Sequence, residues 1–475
     1  MSEQRPDVVT EQRPQVVVIG AGIAGLTAAH DLAVDGRLQV SLLDGSPRTG
    51  GKLLRGQIAG IDTDLGAESV LARRPEGLDL MARLGLVPTH PQTTTAAVWS
   101  RGRLRSLPAH HVMGVPVDVR GLAACGVVSR VGVVRAALDR VLPATDVGDD
   151  VSVRAYVGAR LGGEVVDRLV EPLLGGVYAG RADELSLRAT MPQIAVIATQ
   201  RSLLRALRSG RSPAASGPVF AGLAGGVGRL AEALTAAITA AGAQVVCDAT
   251  VRSVDRLPAG WRLVTGSAAS PTAIEADAVV LALPATPAAR LLAASAPLAA
   301  ADLAAIDYAS MAIVTLAFAA SAFAENPLAG SGFLVPAIDG HLVKAVTFSS
   351  QKWGWYDDVA SDLVLVRCSI GRFGDTADLQ RSDDELVAAA VRDLAAATGV
   401  RGIPRDAVVT RWGGGLPQYT VGHLDRVARI KAAVALLPGV AMCGAAFDGV
   451  GIPACIGSGR AAATQTLRGL FGGGE

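Results

Sequence analysis

Aromatic residues make up only 4% of this 475-residue chain, and its five cysteines (Cys125, Cys247, Cys368, Cys443 and Cys455) are scattered, with no C-x-x-C pair among them. An odd, dispersed set of thiols excludes a disulfide framework and offers no zinc or iron-sulfur spacing, so reduced, mostly buried thiols and no metal are expected. Charge of one sign is missing too: 44 Lys plus Arg face 43 Asp plus Glu, a formal net charge of +1. No broad field draws the chain to nucleic acid, no nucleic-acid partner is expected, and any anionic ligand must be met by local charges. The opening "MSEQRPDVVTEQR" has no apolar centre and does not read as an export signal. An uninterrupted apolar run of spanning length is also absent, because residues 122–142, "LAACGVVSRVGVVRAALDRVL", carry Arg130, Arg135, Asp139 and Arg140. That stretch reads as a core-facing helix, with a membrane-surface helix as the alternative, so the expected location is cytoplasmic, membrane-peripheral at most.

What is abundant is equally directive. Half of the residues are hydrophobic and 55 are glycine, the profile of a Gly-rich α/β enzyme, and the length exceeds one compact core. "VVVIGAGIAGLTAAHDLAVDGRLQVSLLDGS", residues 16–46, reads as strand, helix and strand. Gly20, Gly22 and Gly25 form G-x-G-x-x-G at the first strand-to-helix junction. The first glycine allows the tight turn, the second lets backbone approach a pyrophosphate, and the third lets the helix sit on the strand. Asp44 stands where an acid accepts hydrogen bonds from adenosine ribose, and its charge disfavours NADP. NAD and FAD remain open at this point.

"SPRTGGK", residues 46–52, follows at once. Paired Gly50 and Gly51 let the chain pass close to the pyrophosphate, with Arg48 and Lys52 to neutralise it. This arrangement resembles FAD-containing oxidases of the amine oxidase and phytoene desaturase kind more than NAD dehydrogenases. Further along, helical patterns fill about 105–210, nucleotide-domain texture returns near 219–285, and alternating strands such as "LVKAVTFSS" and "DLVLVRCSI" occupy 305–372. An apolar strand "GVAMCGAA" and a helix beginning near Ser458 close the chain, and exposed links are expected at 100–108, 209–217 and 265–273.

Three stretches carry a closer resemblance: "DTDLGAESVLARRPEGLDLMARLGL" (62–86), "GGVYAGRADELSLRATMP" (175–192), and "RWGGGLPQYTVGH" with "GAAFDGVGIPACIGSGRAAA" (411–423, 444–463). They are similar to the flavin-dependent porphyrinogen oxidases of haem biosynthesis, through most of the chain. The resemblance implies an α/β fold: an FAD-binding Rossmann-like domain (GR2-type, p-hydroxybenzoate hydroxylase-like) with an interleaved α+β substrate domain and a helical subdomain. Its implied layout is FAD-binding segments at 14–90, 215–290 and 411–475, a helical/substrate region at 91–214, and the α+β domain at 291–410. FAD would be held by Gly20, Ala21, Gly22, Ile23, Ala24 and Gly25, by Asp44 and Gly45, by Lys52, and by Gly66, Ala67, Glu68 and Ser69. Val251 would bring backbone to the adenine, Trp412 would approach the flavin, and Val450, Gly451 and Ile452 would hold its isoalloxazine end. The ribose acid is Asp where relatives often have Glu. Asp448 has two open readings, a ribityl contact or a turn former.

The implied reaction is oxidation of coproporphyrinogen III to coproporphyrin III by O2 with release of H2O2, protoporphyrinogen IX being the alternative substrate. A ferrochelatase that takes the product is an implied transient partner. The macrocycle is a large apolar disc bearing carboxylates, so an apolar slot with basic groups at its rim is expected. Gly176 and Tyr178 in "GGVYAG" would lie near flavin and macrocycle, with Arg73, Arg74, Lys352 and Arg367 as candidates for the carboxylates. Relatives often carry an aromatic residue where this chain has Ser369. No catalytic side chain is assigned, since no Ser-His-Asp or Cys-His arrangement is visible; His30, His110, His111, His341 and His423 read as structural or solvent-facing.

Overall fold

The computed structural model describes residues 13–210 and 217–472. β1 (Gln15–Ile19) and β2 (Gln39–Leu43) flank α1 (Ile23–Asp35). Apolar runs without polar alternation belong in strands covered on both faces. β1 is accordingly the central strand of a five-stranded parallel sheet ordered Gln244–Val246, β2, β1, Ala278–Leu281, Val440–Met442. Three separate segments of the chain therefore build one sheet. Val16 and Val18 point to a face covered by α1, the Arg229–Ala240 helix and the C-terminal helix Ile452–Phe471. Val17 and Ile19 point to the other, where Val254, Trp261 and Leu263 of a three-stranded antiparallel sheet cover them.

A second sheet has seven strands, in the order Asp406–Pro417, Tyr308–Ala319, Leu363–Ile370, Val343–Phe348, Gly332–Leu334, Ala96–Ser100, Arg103–Ser106. The Asp383–Thr398 helix packs on one face through Leu386, Ala390 and Leu394 against Val314, Val366 and Phe348. The opposite face carries Thr315, Arg367 and Ser369. The boundary expected at 410/411 falls inside the Asp406–Pro417 strand, which pairs without a break from Ala317↔Asp406 to Met311↔Trp412. Two of the expected links, 100–108 and 265–273, contain the turns of tight hairpins. The third, 209–217, lies mostly outside the described residues.

A helical layer between Val119 and Ser209 gathers around Tyr156, Leu161, Leu169, Leu174 and Leu203. Its centre holds an ion pair: Arg160 Nε donates to Asp139 Oδ1 at 2.7 Å, and both residues are at most 1% exposed. Ser202 Oγ and the Leu204 N–H donate to the other carboxylate oxygen, which satisfies the pair as a buried charge requires. Asp139, read in the sequence as a break in an apolar run, is thus an interior residue. The core-facing expectation for 122–142 holds on one side only. Leu122, Val128 and Ala136 are buried, whereas Val131, Val134, Leu138 and Val141 are exposed on the outer side. Among the described residues no helix is long and apolar enough to cross a membrane, and no group of His, Cys, Asp and Glu could hold a metal ion.

The C-terminal helix starts at Ile452, six residues before the expected Ser458. Gly451 is its extended N-cap and Pro453 lies in the first turn, where a missing N–H costs nothing.

Candidate functional site

The glycine loop has the geometry its spacing implies. Gly20 has φ +103°, and a Cβ there would lie 2.5 Å from the Ala282 carbonyl oxygen. A Cβ on Gly25 would lie 1.8 Å from the Gly20 oxygen, so only glycine lets α1 start against β1. Gly22 is different, because a Cβ there meets no protein atom within 4 Å. Its smallness answers to nothing inside the protein and leaves open space at the N-terminus of α1, as a pyrophosphate site needs. Ala21, Ile23 and Ala24 are buried behind the loop.

Asp44 ends β2 facing this loop: its carboxylate accepts the Ala21 N–H at 2.6 Å and the Ser46 N–H at 2.7 Å. The segment leading to Val251 is tied to the same residue, the Ala249 N–H donating to the Asp44 carbonyl at 2.8 Å, and Gly45 lies against Thr250. Gly50 and Gly51 run alongside the glycine loop itself: the Gly50 N–H donates to the Ala21 carbonyl at 2.8 Å, and a Cβ on Gly51 would sit 3.2 Å from Gly22 Cα. Arg48 folds back on this turn and donates to the Gly51 carbonyl at 2.8 Å. Lys52 has no carboxylate partner among the described residues, and burial pushes its ammonium below the usual lysine range. A desolvated cation without an anion suits a phosphate-bearing ligand.

Gly66 through Ser69 continues the cradle. The Ala67 N–H donates to the Lys52 carbonyl at 3.0 Å, and a Cβ on Gly66 would lie 3.1 Å from the Trp412 indole. Ala67 packs against the same hydrophobic cluster that contains Ile452 and Cys455 of the C-terminal helix. Trp412 Nε1 is buried without a hydrogen-bond partner among the described residues. Half-buried Val450 and exposed Gly451 lead into Ile452 at the start of the 20-residue helix, whose free N–H groups and positive end face this junction. The open space at Gly22, the unpaired Lys52 and the orphaned Trp412 donor make the residues fit an FAD molecule. Asp448 accepts Ser458 Oγ at 2.8 Å and Lys431 Nζ at 2.6 Å, which leaves both of its readings open.

The Glu171–Tyr178 helix, which carries Gly176 and Tyr178, packs beside the Gly332–Leu334 and Val343–Phe348 strands of the seven-stranded sheet. Gly176 is exposed, and a Cβ there would make only an ordinary 3.5 Å contact with Leu334. Tyr178 is buried against Tyr419, ring centroids 5.6 Å apart, and burial raises its hydroxyl to about 12, which keeps it protonated. Tyr419 stacks in turn on buried His423 at 4.0 Å, whose pKa burial lowers to about 4. This aromatic ladder had no signature in the spacing.

Two expected carboxylate binders need correction. Lys352 Nζ donates to Glu68 Oε1 at 2.5 Å and Arg367 Nη1 to Glu68 Oε2 at 2.6 Å, while Arg367 Nη2 donates to the Gly66 carbonyl. Both cations are turned into the protein and answered by Glu68, so neither stands free at a rim. Glu68 itself is more than a backbone contributor to the cradle. Nothing in the local pattern announces this, since the partners lie 284 and 299 positions away. Arg73 and Arg74 are exposed at the surface; Arg74 pairs with Glu76 at 2.6 Å.

Comparison with known proteins agrees with this geometry. Residues 23–467 match the family described as flavin containing amine oxidoreductase. A coproporphyrinogen III oxidase of Mycobacterium leprae is 41% identical, over 92% of this chain and 95% of that protein. A coproporphyrinogen III oxidase of Bacillus subtilis is 31% identical, over 98% of this chain and 100% of that protein. A crystal structure from Exiguobacterium sp. 255-15, provisionally named a protoporphyrinogen oxidase, superposes with a TM-score of 0.84 at 30% identity, over 95% of this chain and 98% of that one. A cradle built for a dinucleotide and a match through nearly the whole length point the same way: this chain belongs to the flavin containing amine oxidoreductase family.

Proposed function

We propose that this protein oxidises coproporphyrinogen III to coproporphyrin III in haem biosynthesis, with O2 as terminal acceptor. The carrying observation is the match over nearly the whole length to coproporphyrinogen III oxidases; exposed Gly176, where an added Cβ would reach only Leu334 at 3.5 Å, is the place proposed for the macrocycle's approach. When bound, FAD supplies the two-electron acceptor. Each step takes a hydride from a meso carbon and a proton from a pyrrole nitrogen; three steps remove six hydrogens, consume three O2 and release three H2O2. The chain's part is positional. Gly176 lets the disc lie close, buried Tyr178 and Tyr419 keep water out, and Tyr178 stays a neutral donor at physiological pH. Exposed Arg73, which has no carboxylate partner among the described residues, would meet a substrate carboxylate, and Arg74 would do so by exchanging its Glu76 partner.

The engagement of Lys352 and Arg367 by Glu68 leaves fewer cations for carboxylates, which favours a second reading, protoporphyrinogen IX, with fewer such groups. Side-by-side porphyrin-fluorescence and peroxide assays on the two porphyrinogens separate them. Faster turnover of coproporphyrinogen III supports the first reading, and inverted preference replaces it with the second. A cytoplasmic location and transient hand-over of product to a ferrochelatase belong to the same proposal. Peripheral membrane contact is supported by the outward stripe of Val131, Val134, Leu138 and Val141 flanked by exposed Arg130 and Arg140.

A further inference from the structure

Glu68, Lys352 and Arg367 form a buried cluster that no part of the proposed reaction uses. Ser349 Oγ adds a contact to Glu68 at 3.4 Å, and the Lys352 ammonium lies 5.1 Å from the Trp353 ring centre and 5.7 Å from that of Phe220. Two fixed cations face one carboxylate. The neighbouring buried acid, Asp64, accepts the Val227 N–H at 2.7 Å and the Gly228 N–H at 3.0 Å at the start of the Arg229–Ala240 helix, yet burial still raises its carboxyl to about 6, so above that pH it adds a second negative charge to the cluster. Tyr356, the other titratable group here, hydrogen-bonds Thr63 at 2.6 Å and stays neutral.

The cluster also touches the cradle. Arg367 grips the Gly66 carbonyl, and Gly66 lies against the Trp412 indole. Three polar atoms near this point are buried without hydrogen-bond partners among the described residues: Arg367 Nε, Thr315 Oγ1 and Trp412 Nε1. Thr315 and Arg367 are direct cross-strand neighbours.

We propose that Arg367 and Lys352 are positioning residues for the flavin: through Glu68 and the Gly66 carbonyl they fix the Gly66–Ser69 segment, and their positive charges raise the flavin's reduction potential above the value the cluster's acids would otherwise set. The proposal rests on the flavin lying against that segment. A positive field beside the cofactor favours its reduced, negatively charged form over the oxidised, neutral one.

The test is the midpoint potential of the purified holoprotein, with sulfite affinity at the flavin as a second readout. Lys352→Met removes one positive charge and lowers the potential; Glu68→Gln removes one negative charge and raises it; the double variant returns towards wild type. Sulfite dissociation constants move in the opposite senses by roughly tenfold each, the size expected of one unit charge in a partly desolvated site. Mere loosening would move both single variants the same way. Lys352→Arg keeps the wild-type potential, and if Lys352→Met releases the flavin, Lys352→Arg retains it. Shifts of one sign in both variants, no shift in Lys352→Met, or equal loss in Lys352→Arg overturns the proposal. Porphyrin formation by the wild type is read separately, so failure here and failure of the proposed reaction remain distinct.

Discussion

Glu68 and Arg367 stand 299 positions apart in the chain and meet at 2.6 Å beneath the Gly66–Ser69 segment, joining the nucleotide layer to the seven-stranded sheet. Burial alone would raise the Glu68 carboxyl, but Lys352 and Arg367 together bring it from its ordinary 4.5 to about 2. A carboxyl held below its unfolded value stabilises the fold fully above that value, and the contribution drains away as pH falls through the folded one. Stability should therefore drop between about pH 4.5 and 2. Urea midpoints of wild type and Glu68→Gln across this window check it: the variant starts lower and falls less steeply. Parallel profiles would place the acid sensitivity elsewhere.

Gly22 and Gly25 separate folding from binding. A Cβ on Gly22 meets nothing within 4 Å, and its backbone (φ −69°, ψ 173°) suits any residue. Gly22→Ala is expected to keep the wild-type urea midpoint without flavin yet lose about a hundredfold in FAD affinity, ~2.7 kcal/mol. Gly25→Ala drives its new methyl into the Gly20 carbonyl and is expected to destabilise the fold itself by roughly 1–3 kcal/mol. Flavin fluorescence titration with parallel denaturation curves distinguishes the two, and an unstable Gly22→Ala would refute the division.

Lys344 is 4% exposed, and its ammonium donates to the Gly371 carbonyl at 2.6 Å with no carboxylate partner among the described residues. Burial, assisted by Arg372, lowers it from 10.5 to about 7. Between those values the unfolded chain binds a proton that the fold does not, so stability should rise with pH from about 7 to 10.5, by up to ~1.4 kcal/mol per unit. Lys344→Met is expected to flatten that rise and to be more stable than wild type at pH 6. Denaturant midpoints at pH 6, 8 and 9.5 decide the matter, and a lower midpoint for the variant at pH 6 would show that the Gly371 contact outweighs the burial cost.

The parts of the site that were legible in sequence are those whose logic is local. The β1–α1–β2 unit is encoded by adjacent residues, because a tight turn, a bare helix N-terminus and an acid at the next strand end all fall within residues 15–44. The C-terminal helix starts at Ile452 and not near Ser458, with Pro453 in its first turn, where proline is accommodated. Lys352 and Arg367 lie outside that local logic. Arg367 is a basic residue in an otherwise apolar strand and Lys352 ends a short polar helix, and their buried partner, Glu68, becomes a neighbour of either only after the chain folds. Asp139 misled in the same manner, its partner Arg160 lying on another helix.

That last pair supports a test of how independent the layers are. Arg160 ties three segments together: it donates to the Asp139 carboxylate and main-chain carbonyl, both at 2.7 Å, and to the Pro143 and Arg201 carbonyls. Arg160→Met keeps the bulk of the stem but strands a buried carboxylate with only Ser202 and backbone donors, a loss of about 3–5 kcal/mol. The damage should stay in the helical layer, since the Glu68 cluster and the nucleotide sheet share no hydrogen bond with this network. Hydrogen exchange should quicken around residues 138–143 and 201–207 while flavin affinity changes little. Replacing Asp139 as well, by Asn, removes the stranded charge and should recover part of the loss. Equal loss of flavin and of helical protection in Arg160→Met would mean that the two layers unfold as one unit.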